Sequence, residues 1–240
     1  MASERELKRQ PKDLATARQM VSMIVDQCEF DDSAPDLLRS TSRYIDTENY
    51  LLGRGRVGLR ARGDMSKQEA RWTVKVGALP DDQGVSEATE VEIDGFWREI
   101  PSLFSMALRS VGVSTGLTEI ARFSTERERW IRRFAGVEVE ICMDSVIVEF
   151  PTQFSFLEIE VEAPGRSELD QLLVLIDSRF PDVAPSPGSK LAMALSGGDP
   201  KNIVNIQLAS EPVGEDLGAQ FTRFLDSSSA IPAPWEGVGR

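Results

Sequence analysis

The chain has 240 residues, with 27 Lys plus Arg against 39 Asp plus Glu, a formal net charge of −12, no histidine and two cysteines. Without an imidazole base, Ser-His-Asp and Cys-His nucleophile systems are excluded. Two cysteines complete neither a structural zinc site nor an ordinary iron–sulfur cluster. Acid–base chemistry must therefore come from carboxylates, Lys, Tyr or metal-bound water, and any metal is expected to be hard and oxygen-ligated.

In chain order, alternation of apolar and charged residues predicts a strand over 3–9. A helix is predicted over 12–28, with Leu14, Ala17, Val21, Ile24 and Cys28 at helical spacing. Strands are predicted over 56–62, 71–77 and 87–93, with turn signals at Arg62-Gly63-Asp64 and Pro80-Asp81-Asp82-Gln83-Gly84. A second helix is expected over 95–111, where Trp97, Ile100, Phe104 and Leu108 form a stripe. Strands follow over 119–130, 136–142, 146–150 and 156–163, and a third helix over 166–180 with Ser167 as N-cap. Residues 181–189 form a loop, and the tail from 226 onward is expected to be mobile and peripheral. Strands outnumber helices and do not alternate regularly with them, so the fold class is α+β: a mainly antiparallel sheet or barrel with helices outside.

The placement of charge on these strands is the informative feature, because side chains at i, i+2 and i+4 share a face. Glu4, Glu6 and Lys8 share one, Arg60 and Arg62 another, and Arg71, Thr73 and Lys75 a third. Glu90 and Glu92, Thr125, Arg127 and Arg129, Glu138 and Glu140, and Glu158, Glu160 and Glu162 continue the pattern. Any single strand of this kind is ordinarily a half-buried strand facing water. Most of these carry doubled charges of one sign, however, and like neighbours on a face repel unless something counters them. A sheet closed into a barrel with these faces inward resolves the repulsion. A polyphosphate bridges the basic strands, and divalent metals link it to the acidic ones.

Glu4-Arg5-Glu6-Leu7-Lys8 resembles the ExExK signature that opens the CYTH proteins, the triphosphate tunnel metalloenzymes. Further segments resemble the family in order: Tyr44-Ile45-Asp46-Thr47 with Leu51, Leu59-Arg60-Ala61-Arg62, Trp72-Thr73-Val74-Lys75, and Glu90-Val91-Glu92. Arg122 with Thr125-Glu126-Arg127, Glu140 with Asp144, Glu158-Ile159-Glu160-Val161-Glu162, and Ser189-Lys190 complete the series. Ala88 stands where family members often carry an Arg.

The resemblance covers residues 2–200 as one tunnel domain and leaves 201–240 as a partly mobile C-terminal extension. It implies an eight-stranded antiparallel β-barrel that binds triphosphate with Mg²⁺ or Mn²⁺. It also implies metal ligation by Glu4 and Glu6 with two of Glu158, Glu160 and Glu162. Lys8, Arg60, Arg62, Lys75, Arg127 and Lys190 are implied as phosphate ligands, with Arg129 a further candidate. Lys8, Arg60, Arg62 and Lys75 are the candidate catalytic cations. Asp144, in a turn after an acidic strand, is a candidate for metal or water, and Glu90 and Glu92 for a second metal. Trp72, of opposite parity to Lys75, is expected to pack on the outer face.

The implied activity is hydrolysis of the terminal phosphoanhydride of inorganic triphosphate, thiamine triphosphate or a nucleoside triphosphate. Adenylate cyclase chemistry on ATP is the close alternative, and a non-catalytic polyphosphate-binding module the distant one. The expected partner is a small triphosphate compound, with the protein a monomer or homodimer. The acidic balance argues against a nucleic-acid duplex. No apolar run approaches the ~20 residues of a membrane span, and residues 1–13 lack an apolar signal core. Cys28 and Cys142 are expected to be reduced thiols, so a soluble, cytoplasmic protein is expected.

Overall fold

The computed structural model describes residues 2–29, 31, 33–77, 80–113, 115–199, 202 and 217–228, with backbone alone at residues 2–4 and 228. Eight strands, β1 (Ala2–Arg9), β2 (Asp36–Thr47), β3 (Val57–Gly63), β4 (Glu69–Gly77), β5 (Val85–Phe96), β6 (Leu117–Phe134), β7 (Val137–Phe150) and β8 (Phe154–Ala163), form one closed sheet. Their order around the barrel is β1-β5-β4-β3-β2-β6-β7-β8, and every neighbouring pair is antiparallel. The chain is thus an α+β protein built on an eight-stranded antiparallel barrel. That strand number leaves an interior wide enough for side chains or one small ligand.

Six helices among the described residues pack outside it: α1 (Leu14–Asp26), α2 (Leu51–Arg54), α3 (Ser102–Ser110), α4 (Arg166–Arg179), α5 (Lys190–Leu195) and α6 (Leu217–Ser228). Alternation along each strand decides what the helices cover. Leu7 of β1, Ile141 and Met143 of β7, and Ile159 and Val161 of β8 point outward. They pack against Ala17, Met20, Val21 and Ile24 of α1 and Leu169, Leu172 and Ile176 of α4. On the other side Leu59, Ala61, Trp72 and Val74 meet Phe104 and Leu108 of α3 and Phe221 and Leu225 of α6. Trp72 is buried there as an outer-face packing residue, its indole N–H donating to Phe96 O at 2.9 Å.

Several sequence expectations shift. β2 was not predicted: Arg39-Ser40-Thr41-Ser42-Arg43 carries no apolar alternation, because both of its faces are polar there, the outer one half-buried at Thr41 and Arg43. The strands expected over 136–142 and 146–150 are one strand, β7. Asp144 therefore lies in mid-strand opposite Glu158, not in a turn. The turn is earlier, at Ala135-Gly136, whose φ values of 51° and 82° close the β6–β7 hairpin in the mirror-image geometry that suits strand twist.

The helix expected from residue 95 starts at Ser102, because residues through Phe96 extend β5 against β4. Gly165, not Ser167, caps α4, and the Ser167 hydroxyl donates to Glu168. The described part of the C-terminal extension is α6, which fills the cluster beneath α3. Residues 229–240 lie outside the described residues. Among the described residues, no helix is long and apolar enough to cross a membrane.

Candidate active site

The inward-facing residues of β7 read Glu140, Cys142, Asp144, then Val146 and Val148, so the interior is charged along part of its length and apolar at one end. Val146 and Val148 join Ala121, Phe123, Phe154 and Phe156 with Leu191, Ala194 and Leu195 of α5. This apolar layer seats α5 at that end, from which Lys190 reaches into the charged chamber. The remaining cavity has a volume of about 1170 Å³. Eleven Lys or Arg and eight Asp or Glu line it, so a chain of net charge −12 encloses a net positive space.

Register places like charges side by side. Glu6 of β1 faces Glu162 of β8, Glu162 faces Glu140 of β7, and Glu158 faces Asp144. Directly opposed like charges destabilise a sheet unless a cation lies between them. Lysines and arginines supply part of that compensation. Lys8 Nζ lies 3.2 Å from Glu6 and 2.7 Å from Glu160. Lys75 Nζ donates to Glu6 at 3.1 Å, as does Ser86 Oγ. Arg127 makes a two-pronged bond to Asp144, both distances 2.7 Å, and a further short one to Glu160. Lys190, the first residue of α5, reaches Asp144 at 2.9 Å, Glu158 at 2.5 Å and Glu160 at 2.6 Å. Gly84 seats this edge of the sheet: at φ 78° it lies so close to the Lys8 carbonyl that a Cβ would stand 2.9 Å from it.

Two carboxylate groups result. Glu6, Glu160 and Glu162 bring one oxygen each within 4.8 Å of one another, and so do Asp144, Glu158 and Glu160. The first group faces the cavity, while Glu158 is wholly buried and not among the lining residues. Burial pushes the Glu158 carboxyl up against the pull of Lys190 and Lys8. Burial opposes ionisation of Glu160 as well, but Lys190, Lys8 and Arg127 together hold it well below the ordinary carboxylate range. Lys8 is held well above the ordinary lysine range: burial opposes its charge, but Glu160, Glu6 and Glu158 outweigh it.

The opposite wall is looser. Arg60 lies 3.4 Å from Glu90, and Arg62 3.9 Å from Glu92. Arg60 Nη2 donates to Thr73 Oγ1 at 3.3 Å. Burial opposes its charge, while Tyr44, Glu90 and Glu92 hold its pKa up, Tyr44 also through a hydrogen bond. Arg62 is pulled below the ordinary arginine range, chiefly by Arg60, then by burial and Arg127. Like charges of Arg60 and Arg127 crowd it, while its own carboxylate partner, Glu92, stands 3.9 Å away.

The structure gathers Glu6, Lys8, Arg60, Arg62, Lys75, Glu90, Glu92, Arg127, Arg129, Asp144, Glu160, Glu162 and Lys190 around one cavity. The Glu4 side chain lies outside the described atoms; its backbone pairs with Ala88. Arg122, matched by motif, instead pairs with Glu119 at 2.6 Å. Sequence reasoning assigned no role to Tyr44, which lines the cavity beside Arg60, or to Ser186, whose hydroxyl donates to Glu158 at 2.8 Å. The shared parity of Ser42, Tyr44 and Asp46 was a readable signal for the first; nothing local marks the second.

The donor set fits a divalent cation: three carboxylates converge on a cavity face, all with hard oxygens and two of them directly opposed across strands. The cationic wall fits a polyanion. A search among curated proteins finds no significant sequence match. Among solved structures, the chain resembles a Hippeastrum protein, HpAC1, described as a candidate adenylyl cyclase with dominant triphosphatase activity. The identity is 19%, the TM-score 0.57, and the match covers 81% of this chain and 96% of that one. It also resembles a candidate adenylate cyclase from Bacillus halodurans, with 18% identity and a TM-score of 0.54 over 80% of this chain and 97% of that one. Both likenesses bear on the barrel fold. The sequence matches the CYTH domain over residues 4–192, and the chain belongs to the CYTH family.

Proposed function

We propose that this protein is a divalent-metal-dependent triphosphatase that cleaves the terminal phosphoanhydride of a triphosphate compound. The supporting observation is the pairing, in one cavity, of an opposed row of carboxylates (Glu6, Glu162, Glu140) with a wall whose arginines, Arg60 and Arg62, stand 3.4 and 3.9 Å from their glutamates. A pure anion binder gains nothing from that row, and a pure cation binder gains nothing from Arg60 and Arg62. A metal–triphosphate complex uses both.

In this reading Glu6, Glu160 and Glu162, with Glu4 by resemblance, hold Mg²⁺ or Mn²⁺. When bound, the ion neutralises phosphate charge and activates water for attack. Arg60, Arg62 and Lys75 bind phosphate oxygens and fix the chain of phosphates along the tunnel. Arg127, tied to Asp144 and Glu160, presents its remaining N–H groups to the phosphoryl group being transferred. Phosphoryl transfer asks mainly for positioning and charge stabilisation, so the absence of histidine is no obstacle. Tyr44 orients Arg60, and the apolar layer at Phe123 and Val146 closes off water on one side.

The test is a panel of inorganic triphosphate, thiamine triphosphate, ATP and GTP with Mg²⁺ or Mn²⁺, scored for orthophosphate and for cyclic nucleotide. Metal-dependent orthophosphate release, lost in Glu162→Gln, is the expected result. Cyclic AMP as the main product, or binding without turnover of any compound, overturns it.

A further inference from the structure

Glu160 belongs to both carboxylate groups; Lys8 spans Glu6 and Glu160 in the first, which opens on the cavity, whereas in the second Glu158 is wholly buried. The ammonium of Lys190 lies 2.5–2.9 Å from each of Asp144, Glu158 and Glu160. It donates hydrogen bonds to Glu158 and Glu160 and forms an ion pair with Asp144, so one ammonium meets all three carboxylates. Both Glu158 oxygens have protein donors, Ser186 on one and Lys190 on the other. Both Asp144 oxygens are taken by the Arg127 fork, with Lys190 sharing the second. The helix that delivers Lys190 is fixed in place: the Ser189 hydroxyl caps it by accepting from Ala192 N, and Ala194 is buried beside Val146 and Val148. Asp144 and Glu158 are fully buried, so this cation is built into the fold rather than recruited from solvent.

We propose that Lys190 is a resident cation occupying the second carboxylate group in place of a divalent ion. The substrate-free tunnel then takes a single divalent ion, at Glu6, Glu160 and Glu162, and Lys190 does not serve as a phosphate ligand. The count of one rests on the metal reading above; the role of Lys190 does not.

The experiment is titration of the full chain with Mn²⁺ in the absence of any phosphate compound, followed by calorimetry and by the paramagnetic resonance of free Mn²⁺. Lys190→Met keeps the side-chain length and removes the charge. It is expected to bind one equivalent more than the wild type and to gain more in Tm from Mn²⁺. An unchanged count in Lys190→Met overturns the proposal. If the wild type binds none and Lys190→Met binds one, the role of Lys190 stands and the metal reading of the first group falls. Glu158→Gln provides a check that does not depend on Lys190→Met folding. It is expected to retain every equivalent the wild type binds, and loss of one shows that Glu158 ligates the ion and overturns the proposal.

Discussion

The two walls of the tunnel are built from the same residue types and behave differently. On the β1–β8–β7 side, Lys8, Asp144, Glu158 and Glu160 are 0–7% exposed, and Lys8 and Lys190 contact Asp144, Glu158 and Glu160 at 2.5–2.9 Å. On the β3–β5 side, the Arg60 and Arg62 side chains are 20% and 35% exposed and stand 3.4 and 3.9 Å from their glutamates. Buried ion pairs are costly to form and costly to break, whereas partly solvated ones exchange partners at little cost. The first wall is therefore a fixed scaffold that positions carboxylates. The second is an open, partly solvated surface with looser ion pairs, where the proposed function places the phosphates.

Substitutions on either side put that contrast to the test. Glu160→Gln, which removes the negative charge shared by Lys8, Lys190 and Arg127, is expected to lower stability by about 3–5 kcal/mol in denaturant unfolding. It should also change the acid limb. Because the folded pKa of Glu160 lies below its unfolded value, its contribution is present above the ordinary carboxylate pKa of 4.5 and is lost as pH falls through the folded value. Glu158, pushed up by burial, works in the opposite sense. The Tm of the wild type should thus fall on acidification below about pH 4.5, and that of Glu160→Gln should fall less over the same range.

Arg60→Ala is expected to show the converse behaviour. Turnover of the best triphosphate substrate should fall by about 10²–10³-fold, while unfolding free energy changes by about 0–1 kcal/mol. A large loss of stability with turnover intact would erase the distinction between the walls. Arg129→Ala, at the solvated edge where Arg129 pairs with Asp36 at 2.7 Å, should change stability by about 0–1 kcal/mol and turnover less than Arg60→Ala does.

The smallest effect is chemical. Burial, opposed by Arg127, raises the Cys142 thiol far above the ordinary range; Cys28 is also raised but only half-buried. A disulfide reagent at mildly alkaline pH should modify Cys28 first. Faster reaction at Cys142 would mean that the scaffold wall opens.

Period-two alternation is a local property of a strand, so the inward charges of β1, β3, β4, β5 and β8 were legible from residue types alone. The barrel as the way to gather them was legible too. So was the outward role of Trp72, from its parity against Lys75. Local pattern did not reveal β2, whose central residues 39–43 are polar on both faces, leaving no alternation to detect. Nor did it reveal the mid-strand place of Asp144, because Met143-Asp144-Ser145 interrupts the apolar rhythm without turning the chain. Which glutamate faces which is set by register between strands distant in sequence. Only the closed barrel could place Glu6 beside Glu160 and Glu162, bury Glu158 beneath Ser186, and bring Lys190 among Asp144, Glu158 and Glu160.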